Sequence, residues 1–177
     1  SRHTMKNRLF THTLSCCIAV LALALLDGCA NYQVGTTLPR HLRTISVETF
    51  HNKSGEPLIE AEVTRAVLQE IQREGQLRLL ERNAAAIHLT GTVTGYTLEP
   101  VRYDQNRPRS VSEYRAVVKV HIRAVEARTG KKIVEQDVVG YNTFSAVGDL
   151  TTLRRTALPE AARQAAHEIV NAVVSAW

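Results

Sequence analysis

The spacing of apolar and polar residues predicts a strand followed by a helix at the start of the folded region. Residues 44–50 alternate in polarity, with Ile45 and Val47 on one face, as in a half-buried strand. From residue 58 to 74 the period becomes helical, and Gly75 stands where a C-terminal cap belongs. The predicted buried stripe of this helix is Ile59, Val63, Ala66, Val67 and Ile71.

A series of strands is predicted after this helix. A short strand spans 77–80, and a longer one spans 87–98. In the longer strand, Ile87, Leu89 and Val93 form one face, whereas His88, Thr90, Thr92, Thr94 and Tyr96 form the other. Its two internal glycines, Gly91 and Gly95, indicate bends or bulges.

The second half of the chain predicts a connector, a β-hairpin and a final helix. Residues 99–110 are rich in Pro and Arg, and strands at 111–128 and 131–144 flank a Thr129-Gly130 turn. Asp149 or Thr151 would cap the final helix, and Pro159 would split off a preliminary turn. Its buried side would be Leu153, Ala157, Ala161, Ala165, Ile169 and Val173. This order predicts an α+β two-layer sandwich, with two helices on one face of a mostly antiparallel sheet of four or slightly more strands.

The first 28 residues have the pattern of an export signal. A basic start is followed by an apolar run of thirteen residues, 14–26, shorter than the ~20 needed to span a bilayer. Leu26, Gly28 and Cys29 resemble the lipobox of bacterial lipoproteins, with Asp27 replacing a small residue. The alternative is an ordinary secretory signal with an incidental cysteine. We expect a lipoprotein signal peptide at 1–28, a lipidated tether at 29–42 and an α+β domain at 43–177.

Removal of the signal changes the charge and the cysteine content of the chain. The mature chain would keep a net charge of about +3, which only weakly favours anionic partners. Cys16 and Cys17 would be lost with the signal, and Cys29 would carry lipid. The domain would therefore have neither a free thiol nor a disulfide.

No catalytic motif stands out in the mature chain. The five histidines that remain are scattered singly, without metal-ligand spacing. No Gly-x-Ser-x-Gly, His-Glu-x-x-His or phosphate-loop pattern is present. We therefore expect no enzyme, no metal, no cofactor and no nucleic-acid partner.

The strand at 111–128 has one apolar and one basic face. Val118, Val120 and Ile122 would face the core, while the opposite face is basic. The simpler interpretation is a solvated face whose charges discourage edge pairing. The alternative is a surface that contacts a polyanion, with arginines of the connector and lysines of the hairpin as neighbours. Its candidate residues are Arg107, Arg109, Arg115, Lys119, Arg123, Lys131 and Lys132.

The mature chain resembles the lipopolysaccharide-assembly lipoproteins of the LptE family. The resemblance begins with Cys29-Ala30-Asn31-Tyr32 and Leu38-Pro39. It continues through 43–52, 62–67, Gly75, 89–93 and 157–161, and ends at Trp177.

This resemblance implies a fold of two helices on a four-stranded sheet and a specific role. Such proteins lie at the periplasmic face of the outer membrane, plug the LptD β-barrel, help it assemble and assist lipopolysaccharide delivery. Ala30 after the lipid cysteine favours the outer membrane. The alternative function is a periplasmic lipoprotein that scaffolds or activates a cell-wall enzyme.

Overall fold

The computed structural model describes residues 38–176, so the predicted signal and Cys29 lie outside the described residues. A 3-10 turn at Arg40–Leu42 leads into a six-stranded sheet. The strands are β1 (Thr44–Val47), β2 (His51–Asn52), β3 (Arg78–Leu79), β4 (Ile87–Tyr103), β5 (Val111–Glu126) and β6 (Lys132–Ser145). The helices are α1 (Ile59–Glu74) and α2 (Leu150–Val174).

The sheet is mixed, with its long strands antiparallel. Its order is β3-β1-β4-β5-β6, and β2 also pairs with β4. β1 runs parallel to β3 and β4, whereas β4, β5 and β6 form an antiparallel meander. The apolar stripes of both helices pack with the inner face of this sheet in one core. The predicted α+β fold is confirmed.

Helix α1 is held to the sheet by the stripe that the sequence predicts. All five stripe residues are buried, and Val63, Val67 and Ile71 are fully so. Each such side chain contributes roughly 1.5–3 kcal/mol. Gly75 ends the helix with φ +79°, and its N–H donates to the carbonyl of Ile71. A left-handed conformation of this kind is the one that favours glycine at a helix end.

Helix α2 packs close to the sheet because the middle of its buried side is made of alanines. Its five buried alanines are Ala157, Ala161, Ala162, Ala165 and Ala166. Opposite them Gly140 of β6 has no side chain, and a Cβ added there would lie 2.2 Å from the Ala165 nitrogen. The small residues on both sides therefore let the helix backbone approach the strand.

The start of α2 agrees with the prediction in one respect and differs in another. The Asp149 carboxylate accepts a hydrogen bond from the Thr152 N–H at 2.9 Å, which makes Asp149 the N-cap. Pro159, however, lies inside a continuous helix, so the predicted preliminary turn is wrong. A proline removes one helical hydrogen bond and often breaks a helix, but tertiary packing of both halves keeps this one intact.

Strand β4 contains a bulge that changes which face Tyr96 occupies. Val93 pairs with Val120 and Gly95 with Lys119, so Thr94 is the extra residue. The bulge turns Tyr96 inward, where it is buried, and its predicted place on the polar face is wrong. At Gly91 an added Cβ would lie 2.4 Å from the Phe50 ring, so this glycine makes room for a core side chain.

The largest differences from the predicted element boundaries are at the ends of β1 and β4. β1 ends at Val47, and the pairing with β4 resumes only at β2. The predicted connector at 99–110 is shorter, because β4 stays paired with β5 as far as Tyr103. Neither helix in the described residues is long and apolar enough to cross a bilayer.

Candidate functional site

The outer face of the sheet, which points away from the helices, carries the predicted basic row. Lys119 and Arg123 are exposed on β5, and Arg115 is half-buried. Their β4 neighbours are Thr90 beside Arg123, Gly95 beside Lys119 and the acidic Glu99 beside Arg115. The partition of β5 into an apolar inner face and a basic outer face is confirmed.

The neighbouring strand β6 supplies acidic groups to the part of this face near the hairpin. Glu135 pairs in register with Arg123, and Asp137 pairs with His121. His121 Nδ1 lies 2.8 Å from an Asp137 carboxylate oxygen. The Lys132 ammonium donates a hydrogen bond to Glu135 at 3.0 Å, which is the largest cause lowering the pKa of Glu135. Charge on this part of the face is therefore mixed rather than uniformly basic.

Lys119 is the cation on this face that the acidic residues leave uncompensated. Its cross-strand neighbours are Gly95 and Val139, and its ammonium has no ion-pair partner among residues 38–176. Lys119 therefore offers a full positive charge to a ligand.

An apolar patch lies beside Lys119. Val139 and Tyr141 of β6 are exposed on this outer face, at 46% and 54%, and they flank the buried Val117. The Arg115 guanidinium lies over the Tyr141 ring, 5.2 Å from its centroid. Cations next to an apolar strip form the kind of surface that suits an amphiphile with phosphate groups and hydrocarbon chains.

The structure does not gather all seven candidate residues into one patch. Arg107 and Arg109 lie in the loop between β4 and β5, at one end of the sheet, and Lys131 and Lys132 lie at the β5–β6 hairpin, at the other. The sixteen residues of β5 separate the two ends by about 50 Å. Arg107 is also 3.3 Å from Asp104, and the pKa of Asp104 is lowered, chiefly by the backbone N–H of Asn106.

A polar network that the sequence reading missed ties α2 to β4. The Tyr96 hydroxyl donates to the Arg154 carbonyl at 2.6 Å, and the Arg154 guanidinium donates to the Tyr96 carbonyl at 3.0 Å and to Glu56 at 2.6 Å. Burial raises the pKa of Tyr96 to about 12, with the Arg154 charge opposing and the Glu56 charge reinforcing this shift. Gly95, directly before Tyr96, was the one indication in the sequence that Tyr96 could lie on the other face of the strand.

A second network joins the two helices. The buried Glu70 carboxylate of α1 lies 2.8 Å from His167 Nδ1 of α2 and accepts a hydrogen bond from Arg73 at 2.9 Å. Burial by itself would raise the pKa of Glu70, but the hydrogen bonds and charges of His167 and Arg73 outweigh it and lower the pKa. In α1, Glu70 occupies a position next to the apolar stripe, which was the only sequence indication that it is buried.

No triad of nucleophile, base and orienting group emerges from these two networks. Among residues 38–176, no three His, Cys, Asp or Glu side chains cluster in a way that could hold a metal ion. What the described surface offers is Lys119 with its apolar neighbours, which is suited to binding.

Solved structures share this fold at low sequence identity. Protein XCC0632 from Xanthomonas campestris matches with a TM-score of 0.58 and 11% identity, over 80% of this chain and 89% of its own. The hypothetical protein CT253 from Chlamydia trachomatis matches with a TM-score of 0.54 and 10% identity, over 75% of this chain and 95% of its own. At such identities the likeness concerns the fold alone.

Of the two sequence comparisons, one identifies a family for this chain. None of the curated proteins matches the chain. The family model described as LptE, lipopolysaccharide-assembly, matches residues 42–173, which include every strand and nearly all of both helices. The chain therefore belongs to the LptE family of lipopolysaccharide-assembly proteins.

Proposed function

We propose that this protein is a non-enzymatic subunit of the lipopolysaccharide translocon, anchored to the periplasmic face of the outer membrane through lipid on Cys29. In this role it plugs the LptD β-barrel, helps the barrel to assemble and assists lipopolysaccharide delivery to the outer leaflet. Membership of the LptE family is the observation that carries the proposal. The predicted domain limits, 1–28, 29–42 and 43–177, are part of it.

The outer face of the sheet supports a direct contact with lipopolysaccharide. Lys119 has no ion-pair partner among the described residues, and it lies beside the exposed Val139 and the Arg115–Tyr141 pair. Lipopolysaccharide combines phosphate groups with acyl chains, so a cation next to an apolar strip matches both of its parts. Arg123 contributes less because it faces Glu135.

Charge reversal on this face tests the proposed contact. The Lys119→Glu, Arg123→Glu variant should bind purified lipopolysaccharide at least about tenfold more weakly, because a hydrogen bond to a charged group contributes about 1.5–3 kcal/mol. Lys119→Glu alone should cause most of this loss. Lys53→Glu, Arg65→Glu is the matched control, since both residues are exposed and neither is on this face. Unchanged binding by a folded Lys119→Glu variant would mean that the face is only solvated.

Affinity isolation of the lipidated protein in mild detergent tests the assignment to the translocon. A large outer-membrane barrel should co-purify and be identified by mass spectrometry. Depletion of the protein should reduce surface lipopolysaccharide. A monomeric protein whose depletion alters peptidoglycan and leaves lipopolysaccharide normal would instead support a partner among cell-wall enzymes. Mass spectrometry of the mature N-terminus should find acyl chains on Cys29.

A further inference from the structure

One end of the sheet carries a concentration of positive charge. We call this end the tether-side edge: it consists of the 3-10 turn at Arg40–Leu42, the first residues of β1, strand β3 with the turn after it, and the β5–β6 hairpin. Pairing of Thr44 with Arg78, and of Ile87 with both Ile45 and Glu126, brings these segments together. Five strands spaced by about 4.8 Å make the edge roughly 20 Å wide.

The tether-side edge accounts for the net charge of the whole described chain. Residues 38–176 carry three more basic than acidic side chains. The edge, together with the groups paired with it, also carries three more basic than acidic side chains. The last turns of α1 and α2 contribute no further net charge. The basic members are Arg40, Arg43, Arg78, Arg82, Arg128, Lys131 and Lys132, and the acidic members are Glu48, Glu81, Glu126 and Glu135.

Apart from Arg43, the cations of this edge fall into a paired and an unpaired group. Arg82 pairs with Glu48, Arg128 lies 3.5 Å from Glu126, and Lys132 pairs with Glu135. The second group is exposed and has no ion-pair partner among the described residues; its members are Arg40, Arg78 and Lys131. The uncompensated charge therefore faces solvent.

A hollow of about 520 Å³ opens at the same edge. Its lining includes Ala85, Ala127, His41 and Arg128, together with the acidic Glu126.

The short stretch of sequence between Cys29 and the tether-side edge indicates which surface this edge lies near. Eight residues lie between Cys29 and Leu38, where the described chain begins, and the nine Cα–Cα steps between the two span at most about 32 Å. The sheet is about 50 Å long, so a lipid on Cys29 holds this edge within about 32 Å of the membrane surface and sets no such limit for the opposite end.

We propose that the tether-side edge binds the headgroups of anionic phospholipids in the membrane that holds the lipid anchor, through Arg40, Arg78 and Lys131. The proposal rests on the lipidation of Cys29 in the proposed function. Headgroup binding holds the tether-side edge at the membrane surface, and the loop at 104–110 lies at the opposite end of the sheet. The lipid is thus an anchor, and the edge sets the orientation.

Vesicle binding without the anchor isolates this contribution. The chain from residue 29 with Cys29→Ser keeps every described core side chain, since these lie between Leu38 and Val173. It should bind vesicles of phosphatidylcholine with about 30% phosphatidylglycerol but not vesicles of pure phosphatidylcholine. Added salt should abolish this binding. Because each basic residue near an anionic surface contributes about fivefold, Arg40→Glu, Arg78→Glu, Lys131→Glu should lower the partition coefficient at least about a hundredfold.

The control variant carries the same change in charge away from the edge. Lys53→Glu, Arg65→Glu, Arg155→Glu alters three exposed residues and should retain most of the vesicle binding. Equal losses in both variants would show an effect of net charge alone and would overturn the proposal, as would equal binding to the two kinds of vesicle. Lipopolysaccharide binding should weaken in Lys119→Glu and stay near the parent value in Arg40→Glu, Arg78→Glu, because neither arginine is a candidate lipopolysaccharide contact, so failure of either proposal is seen separately.

Discussion

Replacing Gly140 with alanine would test how closely α2 is packed on the sheet. The added Cβ would lie 2.2 Å from the Ala165 nitrogen and 2.4 Å from the Ala161 carbonyl oxygen. Comfortable separations for such atoms are about 3.5–4 Å. The helix backbone would therefore have to retreat by more than about 1 Å, because neither of these atoms belongs to a side chain that can rotate away.

This displacement of the α2 backbone cannot be confined to the residues near Gly140. The buried alanines and Ile169 lie on the same side of α2, and the helix also packs on β5 and α1. Overpacking typically costs about 1–3 kcal/mol, and a clash with main-chain atoms belongs at the upper end. We expect Gly140→Ala to lower the free energy of unfolding by about 3 kcal/mol and the Tm by about 10 °C.

Urea and thermal unfolding of the Cys29→Ser chain, followed by circular dichroism, measure this loss. Gly95→Ala is the matched control, because a Cβ there would meet only Lys119 side-chain atoms, the nearest at 3.9 Å. It should cost less than about 1 kcal/mol. If Gly140→Ala unfolds within about 0.5 kcal/mol of the parent chain, the reasoning about close helix packing is refuted.

Three further predictions concern polar groups. The lowered pKa of Glu70 stabilises the fold above the unfolded value, about 4.3, and this contribution is lost as pH falls through the lower folded pKa. Urea unfolding should therefore show a destabilisation by Glu70→Gln that is largest at neutral pH and shrinks in acid; a pH-independent difference would contradict it. In an ultraviolet titration one tyrosine should ionise near pH 12, and Tyr96→Phe should remove that step and cost roughly 1 kcal/mol. Asp149→Ala should lower thermal stability by about 1 kcal/mol, whereas Asp149→Asn, which can also cap, should cost much less.

Local periodicity was enough to predict most elements and the residues that face the core. The stripes of α1 and α2 and the inner row of β5 are buried as predicted. A buried stripe arises when apolar side chains recur with the period of a helix or a strand. This period can be recognised from neighbouring residues alone. The cap at Asp149 was predictable for the same reason, since the groups that it satisfies lie within one turn.

Which cations of the candidate site have acidic neighbours depended on residues far apart in the chain. Only the register of β5 with β6 brings Asp137 to His121 and Glu135 to Arg123, which places acidic groups beside part of the basic row and none beside Lys119. The bulge that turns Tyr96 inward likewise exists only in the pairing of β4 with β5.

By itself, then, the sequence determined the elements, the buried stripes and the resemblance to the LptE family. Tertiary structure decided which charges are compensated and that the connector arginines and hairpin lysines lie at opposite ends of the sheet. It also decided that Pro159 stays inside a helix. The physical reason is that burial patterns are local, whereas charge compensation and packing distances depend on which residues the fold brings across from one another.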